Sequence, residues 1–153
     1  MVFATRVYGA SRDRSGGLFL AHGINVAQAL GRGATSGAMS AAVLHDMLED
    51  TEWTIDDLAR SGVDPFECEV IDVLTRRSGE TYTDYVRRIC HAPGVAGDTA
   101  RLVMVADLTV SADRADSDAL RERYVNAMSR VSRSCGAHSR RPSAETTRLV
   151  QLS

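Results

Sequence analysis

The stretch His45-Asp46-Met47-Leu48-Glu49-Asp50-Thr51 crowds one imidazole and three carboxylates together. Read at a helical period over Ala41 to Thr51, Val43, Leu44, Met47 and Leu48 share one face, and His45, Asp46, Glu49 and Asp50 share the other. No Arg within the stretch neutralises the carboxylates. Carboxylates on adjacent turns repel, so a plain solvated helix would interleave cations at i+4. A bound divalent cation would remove that repulsion, because imidazole nitrogen and carboxylate oxygen are its usual ligands. The competing reading is an acidic solvent face on an amphipathic helix.

Four further residues could belong to the same chemistry. His22 lies at or near the start of an apolar segment, where a lone His is commonly a cap or a satisfied core residue. Asp107 sits inside the apolar segment Leu102, Val103, Val105, Ala106. A lone buried carboxylate there would cost several kcal/mol, so Asp107 either has a partner or faces solvent at a helix end. Arg76 and Arg77 are adjacent in the loop Thr75-Arg76-Arg77-Ser78-Gly79. They are candidate phosphate clamps, since guanidinium pairs bidentately with phosphate, or else plain surface charge.

The elements that must position these groups all read as helices. Met1 to Gly9 suggests a short lead-in helix, followed by a glycine-punctuated loop from Ser11 to Gly17. Leu18 to Leu30 carries an apolar pattern through Phe19, Ile24, Val26 and Ala27. Ser36 is placed as the N-cap of the helix carrying His45, which should end near Asp50-Thr51. Thr54 and Asp57 form a capping-box variant, and Asp64-Pro65 opens another helix with Pro at its first position. Glu80 to His91 turns Tyr82, Tyr85, Val86 and Ile89 inward, before Pro93-Gly94 breaks it. Ala96 to Leu108 and Asp116 to Val131 complete the set. With no internal repeat and no convincing strand, the class is all-α.

A chain of 153 residues is one ordinary domain, and 44% hydrophobic with 25% charged residues lies in the globular range. The net charge of −2 predicts no broad affinity for nucleic acid or a membrane surface. All 18 basic residues are Arg, which excludes a Lys nucleophile or Schiff base. Cys68, Cys90 and Cys135 are odd in number and widely spaced, which fits a reducing compartment better than a disulfide framework or a thiolate zinc site. No apolar run approaches the roughly 20 residues of a membrane span, and no signal-peptide core opens the chain, so a soluble cytoplasmic protein is expected. Periodicity fades from Ser132 onward. Residues 1–131 are therefore read as the domain and 132–153 as a mobile tail.

The ordered set His22, His45-Asp46, Asp107 resembles that of the HD superfamily of metal-dependent phosphohydrolases. His45-Asp46-Met47-Leu48-Glu49-Asp50-Thr51, followed by Trp53-Thr54, resembles the HDxxEDT segment of RelA/SpoT-type alarmone hydrolase domains. The small stand-alone members of that group are also resembled by Leu74-Thr75-Arg76-Arg77, Gly79-Glu80-Thr81-Tyr82, Tyr85-Val86, Val105-Ala106-Asp107-Leu108 and Arg123-Tyr124. The similarity spans roughly Asp13 to Val131.

The resemblance implies a single compact HD-domain bundle of about six to eight helices. It implies one divalent metal, manganese first and Mg²⁺, Fe²⁺ or Zn²⁺ as alternatives, held by His22, His45, Asp46 and Asp107. Residues matching Glu49 and Asp50 position or deprotonate the attacking water. They lie one turn beyond His45 and Asp46, so they can sit beside the metal without ligating it. The implied substrate is a small phosphorylated molecule, a nucleotide, with guanosine 3′,5′-bis(diphosphate) as the family default. Arg76 and Arg77 would take its phosphates. The alternatives are an HD phosphohydrolase for another nucleotide or specialised metabolite, or a non-catalytic HD module that binds metal or nucleotide. Nothing in the pattern specifies an oligomeric state. The sequence departs from the family at Met104, Leu108 and Ser111, where a Lys, a basic residue and an Asn are usual, and at Tyr8-Gly9-Ala10-Ser11, where a His-x-Gly-Gln segment is usual.

Overall fold

Most helices begin where the sequence supplies an oxygen to cap them. In the computed structural model, which describes residues 19–138, the helices are α1 (Phe19–Ala29), α2 (Ser36–Leu44), α3 (Met47–Asp50), α4 (Ile55–Arg60), α5 (Pro65–Leu74), α6 (Tyr82–His91), α7 (Gly94–Asp113) and α8 (Asp118–His138). No strand occurs among the described residues. Thr54 and Asp57 close the anticipated capping box on α4. Asp64 accepts from the Phe66 amide at 2.8 Å, with Pro65 opening α5. Thr81 accepts from the Asp84 amide at 3.1 Å to start α6. Each such cap satisfies an N–H that the helix leaves open, and is worth about 1 kcal/mol.

Several boundaries differ from the sequence reading, each for a local reason. The cap of α2 is Thr35, whose hydroxyl accepts from the Ala38 amide at 3.2 Å; Ser36 is the first helical residue. α6 starts at Tyr82 because Thr81 is the cap. α7 runs from Gly94 to Asp113 and α8 continues seven residues past Val131, so the region read as tail from 132 is helical through His138. The lead-in helix Met1–Gly9, the loop 11–17 and Leu18 lie outside the described residues, as do positions 139–153.

The largest correction concerns the helix carrying the acidic stretch, which is not continuous. α2 ends at Leu44, His45 and Asp46 form a turn, and α3 restarts with the Glu49 and Asp50 amides both donating to the Asp46 carbonyl, at 3.1 and 3.0 Å. Within the turn, the His45 ring bonds back to the Ala42 carbonyl, 2.8 Å from Nδ1. The break swings His45 inward to 6% exposure, instead of leaving it on a solvent face.

α7 is the central helix, packed against α8, α5, α1, α2 and α6. Ala100 and Val103 are fully buried on it, and they meet Val26 of α1, Val70 and Ile71 of α5, Ile89 of α6 and Val131 of α8 in one core. Burying each of the larger aliphatic side chains is worth about 1.5–3 kcal/mol. Leu102, one of the apolar residues of that segment, is 53% exposed. Arg101 takes the buried side of that turn, donating to the Ile89 and Ala92 carbonyls at the end of α6 (3.2 and 2.7 Å) and pairing with Asp98. α1 crosses α2 at Gly23, where a Cβ would lie 2.5 Å from the Val43 carbonyl oxygen. Only a residue without a side chain permits that crossing, and it sets His22 opposite His45. Among the described residues no helix is long and apolar enough to cross a membrane.

Candidate metal centre and active site

Two helices and one turn deliver the four residues expected as ligands. His22 comes from the first turn of α1, His45 and Asp46 from the turn after α2, and Asp107 from α7. His22 Nε2 lies 3.0 Å from Asp107 Oδ1 and 3.6 Å from Asp46 Oδ2. His45 Nε2 lies 3.1 Å from Asp46 Oδ1 and 3.8 Å from Asp107 Oδ1. The two imidazole centroids are 5.4 Å apart. His22, His45 and Asp107 form the tight group, each offering one ligand atom within 4.8 Å of the others. Asp46 places its two oxygens against the two imidazole nitrogens and is the most exposed of the four.

The protonation pattern suits a cation. A backbone carbonyl only accepts, so His45 Nδ1 carries a proton in its 2.8 Å bond to Ala42, and the neutral ring keeps its lone pair on Nε2. That Nε2 is buried and makes no hydrogen bond; Asp46 Oδ1 is close but not aligned for one. A divalent ion lies about 2.1 Å from each nitrogen or oxygen ligand, which separates ligands sharing it by roughly 3–4 Å. The observed spacings match. Fixing the far side of an imidazole with a carbonyl is also how metal-binding His rings are usually oriented. The donor set of two imidazoles and two carboxylates is one that Mn²⁺, Fe²⁺ or Zn²⁺ accepts.

The charges are mutually dependent. Burial opposes protonation of His45, but the Asp46 and Asp107 carboxylates, the Ala42 carbonyl and Glu49 together outweigh it and raise its pKa above 6.5. Burial likewise works to raise the Asp107 pKa. The His22 bond, the charges of His45 and His22, and the Ser111 hydroxyl outweigh it and hold the carboxyl below its ordinary value. Ser111 Oγ donates to Asp107 Oδ1 at 3.1 Å, one turn along α7. Among the described residues no Arg pairs with Asp46, Glu49 or Asp107.

Glu49 and Asp50 lie in α3, just past the turn. Glu49 Oε1 accepts from the backbone N–H of Arg76 at 2.7 Å, which ties the acidic helix to the loop after α5. An open cleft beside it is lined by Glu49, Arg76, Arg77 and residues 78–81. Arg76 Nε and Nη2 donate to the Glu80 carbonyl at 3.0 and 2.7 Å. The Arg77 guanidinium is bound bidentately by Asp72 at 2.8 and 2.7 Å. Both guanidinium groups therefore have protein partners. A separate, mostly apolar cavity of about 530 Å³, between α1, α2 and the turn after α4, contains none of the four ligand candidates.

The sequence reading did not single out Gly23, Arg88 or the helix break. Gly23 follows His22 directly, but its role depends on which helix crosses it. Met104 and Leu108, noted as departures, are buried in the core at 2% exposure each. Tyr8 to Ser11 lie outside the described residues.

No family model matches the chain, and no curated protein matches it by sequence. Among solved structures, it is similar to a metazoan ortholog of SpoT, described as hydrolysing ppGpp and playing a role in starvation responses. The TM-score is 0.69 at 19% identity, over 90% of this chain and 83% of that one. The all-α fold anticipated for the HD resemblance is the fold that the two chains share.

Proposed function

We propose that this protein is a metal-dependent phosphohydrolase that cleaves a phosphate or pyrophosphate ester of a nucleotide. The observation that carries the reading is the buried, unpartnered Nε2 of His45, converging with His22 and Asp107 inside the fold of a SpoT-type hydrolase. His22, His45, Asp46 and Asp107 would hold one divalent ion, with Mn²⁺ the first to test. Such an ion, when bound, lowers the pKa of water and polarises a phosphoryl oxygen.

The remaining work falls to the protein's own side chains. Glu49 has one oxygen anchored by the Arg76 amide, which leaves Oε2 to accept a proton from the attacking water. Asp50, the next residue on α3, assists in orienting that water. Arg76 still has Nη1 available for a substrate phosphate in the cleft. Arg77 can offer its fork only by releasing Asp72, so its first role is to shape the loop.

Guanosine 3′,5′-bis(diphosphate) is the leading substrate, in line with the activity of the structural neighbour. A second reading, another nucleotide or a specialised metabolite, is favoured by Met104 and Leu108, which bring apolar core residues where alarmone hydrolases carry cations. The test is a panel of nucleotides assayed for phosphate and pyrophosphate release, with Mn²⁺ and after chelation. Metal-dependent release from at least one is expected. Metal or nucleotide binding without turnover of any would make the chain a non-catalytic module.

A further inference from the structure

The connection from Thr75 to Thr81 is held more firmly than a surface loop requires. Arg88, on α6, donates from Nη1 to the Val73 carbonyl (2.7 Å) and from Nη2 to the Thr75 carbonyl (2.9 Å). It also binds both carboxylate oxygens of Glu80, at 2.8 and 2.9 Å. Glu80 Oε2 accepts in addition from the Arg77 amide at 3.0 Å, and the Glu80 carbonyl takes the Arg76 guanidinium. Tyr85 donates its hydroxyl to the Leu74 carbonyl at 2.6 Å. The end of α5 and the loop after it are thus strapped to α6.

Exposed ion pairs contribute little, but this one is bidentate and only 29% and 11% exposed at Arg88 and Glu80. Its effect reaches beyond the loop. The network fixes Arg76 on both sides while leaving its backbone N–H to donate to Glu49 Oε1. A carboxylate that accepts a proton must be held within about 0.5 Å of its productive position. Glu49 lies in a one-turn helix, and its carboxylate has no other hydrogen-bond partner among the described residues, so the loop supplies that restraint.

We propose that Glu80 and Arg88 are positioning residues for Glu49: they hold the Arg76 amide where it anchors Oε1 and presents Oε2 for proton transfer. The inference rests on the reading of Glu49 as the base. It is tested on the full chain loaded with Mn²⁺, using Glu80→Gln, with Arg88→Lys as a second variant in case the first folds poorly. Misplacement on the ångström scale costs up to about 100-fold, so kcat should fall by roughly 10- to 100-fold while KM and the Mn²⁺ Kd change little. In a Glu49→Gln background the same substitution should cause no further loss in kcat, because the residue acts through Glu49. Amide exchange at Arg76, read without substrate, should accelerate in both variants.

An undiminished kcat in the single variants, or an equal loss in both backgrounds, overturns the positioning role. Slow Arg76 exchange in the variants overturns the brace itself, whatever the activity. A wild-type protein inactive on every nucleotide, with accelerated exchange in the variants, overturns the hydrolase reading and the positioning role together but leaves the brace standing.

Discussion

At the scale of single residues, His45 Nε2 is the most informative atom in the chain. It is buried, its partner nitrogen is committed to Ala42, and acidic oxygens surround it. A ligand that binds only the folded state at 100 times its Kd stabilises it by about 2.7 kcal/mol, which in a domain of this size raises Tm by roughly 5–10 °C. Adding Mn²⁺ to chelated protein should produce such a shift in calorimetry. His45→Ala and Asp107→Asn should abolish it, and a full shift in either variant would remove that residue from the ligand set. Glu49 answers to a different measurement. Positioned general-base catalysis contributes on the order of 10²–10⁴-fold, so Glu49→Gln should lower kcat by that factor while bound metal, by elemental analysis, stays stoichiometric. Parallel loss of metal would make Glu49 a ligand.

At the scale of elements, the centre depends on one crossing and one interruption. The interruption after Leu44 turns His45 inward, and the crossing at Gly23 brings α1 close enough for His22 to meet it. A methyl at Gly23 would press on the Val43 backbone, which cannot rotate out of the way as a side chain can. Overpacking of this kind costs about 1–3 kcal/mol. Gly23→Ala should therefore lower the denaturant midpoint and also weaken Mn²⁺ binding, since relief requires α1 to move away from α2. Unchanged metal affinity in a destabilised variant would show that the crossing and the centre are independent. The brace between α5 and α6 is the third such device, reaching the acidic helix through the Arg76 amide on Glu49.

At the scale of the whole molecule, the same brace should be visible in acid stability. Hydrogen bonds from Arg88, then the Arg77 amide and the charges of Arg88 and Arg77, outweigh desolvation and lower the Glu80 pKa from 4.5 to about 2. The folded state thus favours the carboxylate more than the unfolded chain does. Its contribution is complete above pH 4.5 and is lost as pH falls from there towards 2. Glu80→Gln should flatten the decline in stability across that window, measured by denaturant titration at stepped pH. An unaltered slope would mean that other carboxylates, such as Asp72 beside Arg77, dominate.

Substrate choice also belongs to this scale, because it depends on the whole pocket. With Met104 and Leu108 in the core and Ser111 engaged with Asp107, cations and an amide usual in alarmone hydrolases are missing. Fewer buried polar groups are then left unpaired when a wrong substrate binds. The preference in kcat/KM for the guanine alarmone over its adenine counterpart should stay below roughly 10⁴-fold, the scale of strict hydrogen-bond readout. A larger ratio would restore guanine specificity.

What the sequence determined by itself was what acts over one turn of chain. Thr54 with Asp57, Asp64 with Pro65, and the apolar spacing of Val86 and Ile89 specify helices through contacts within about one turn, so the all-α class and the starts of α4 and α5 were legible. The ordered His22, His45-Asp46 and Asp107 were legible as a set because residue type and order survive without geometry. Only tertiary structure decided that Leu102 faces out while Arg101 is buried, since the choice depends on the free carbonyls at the end of α6. The same holds for the break at His45, the crossing at Gly23 and the hold of Arg76 on Glu49. Each joins groups distant in sequence or buries a side chain that local pattern places in water, and close approach between separate helices is set by packing of the whole core.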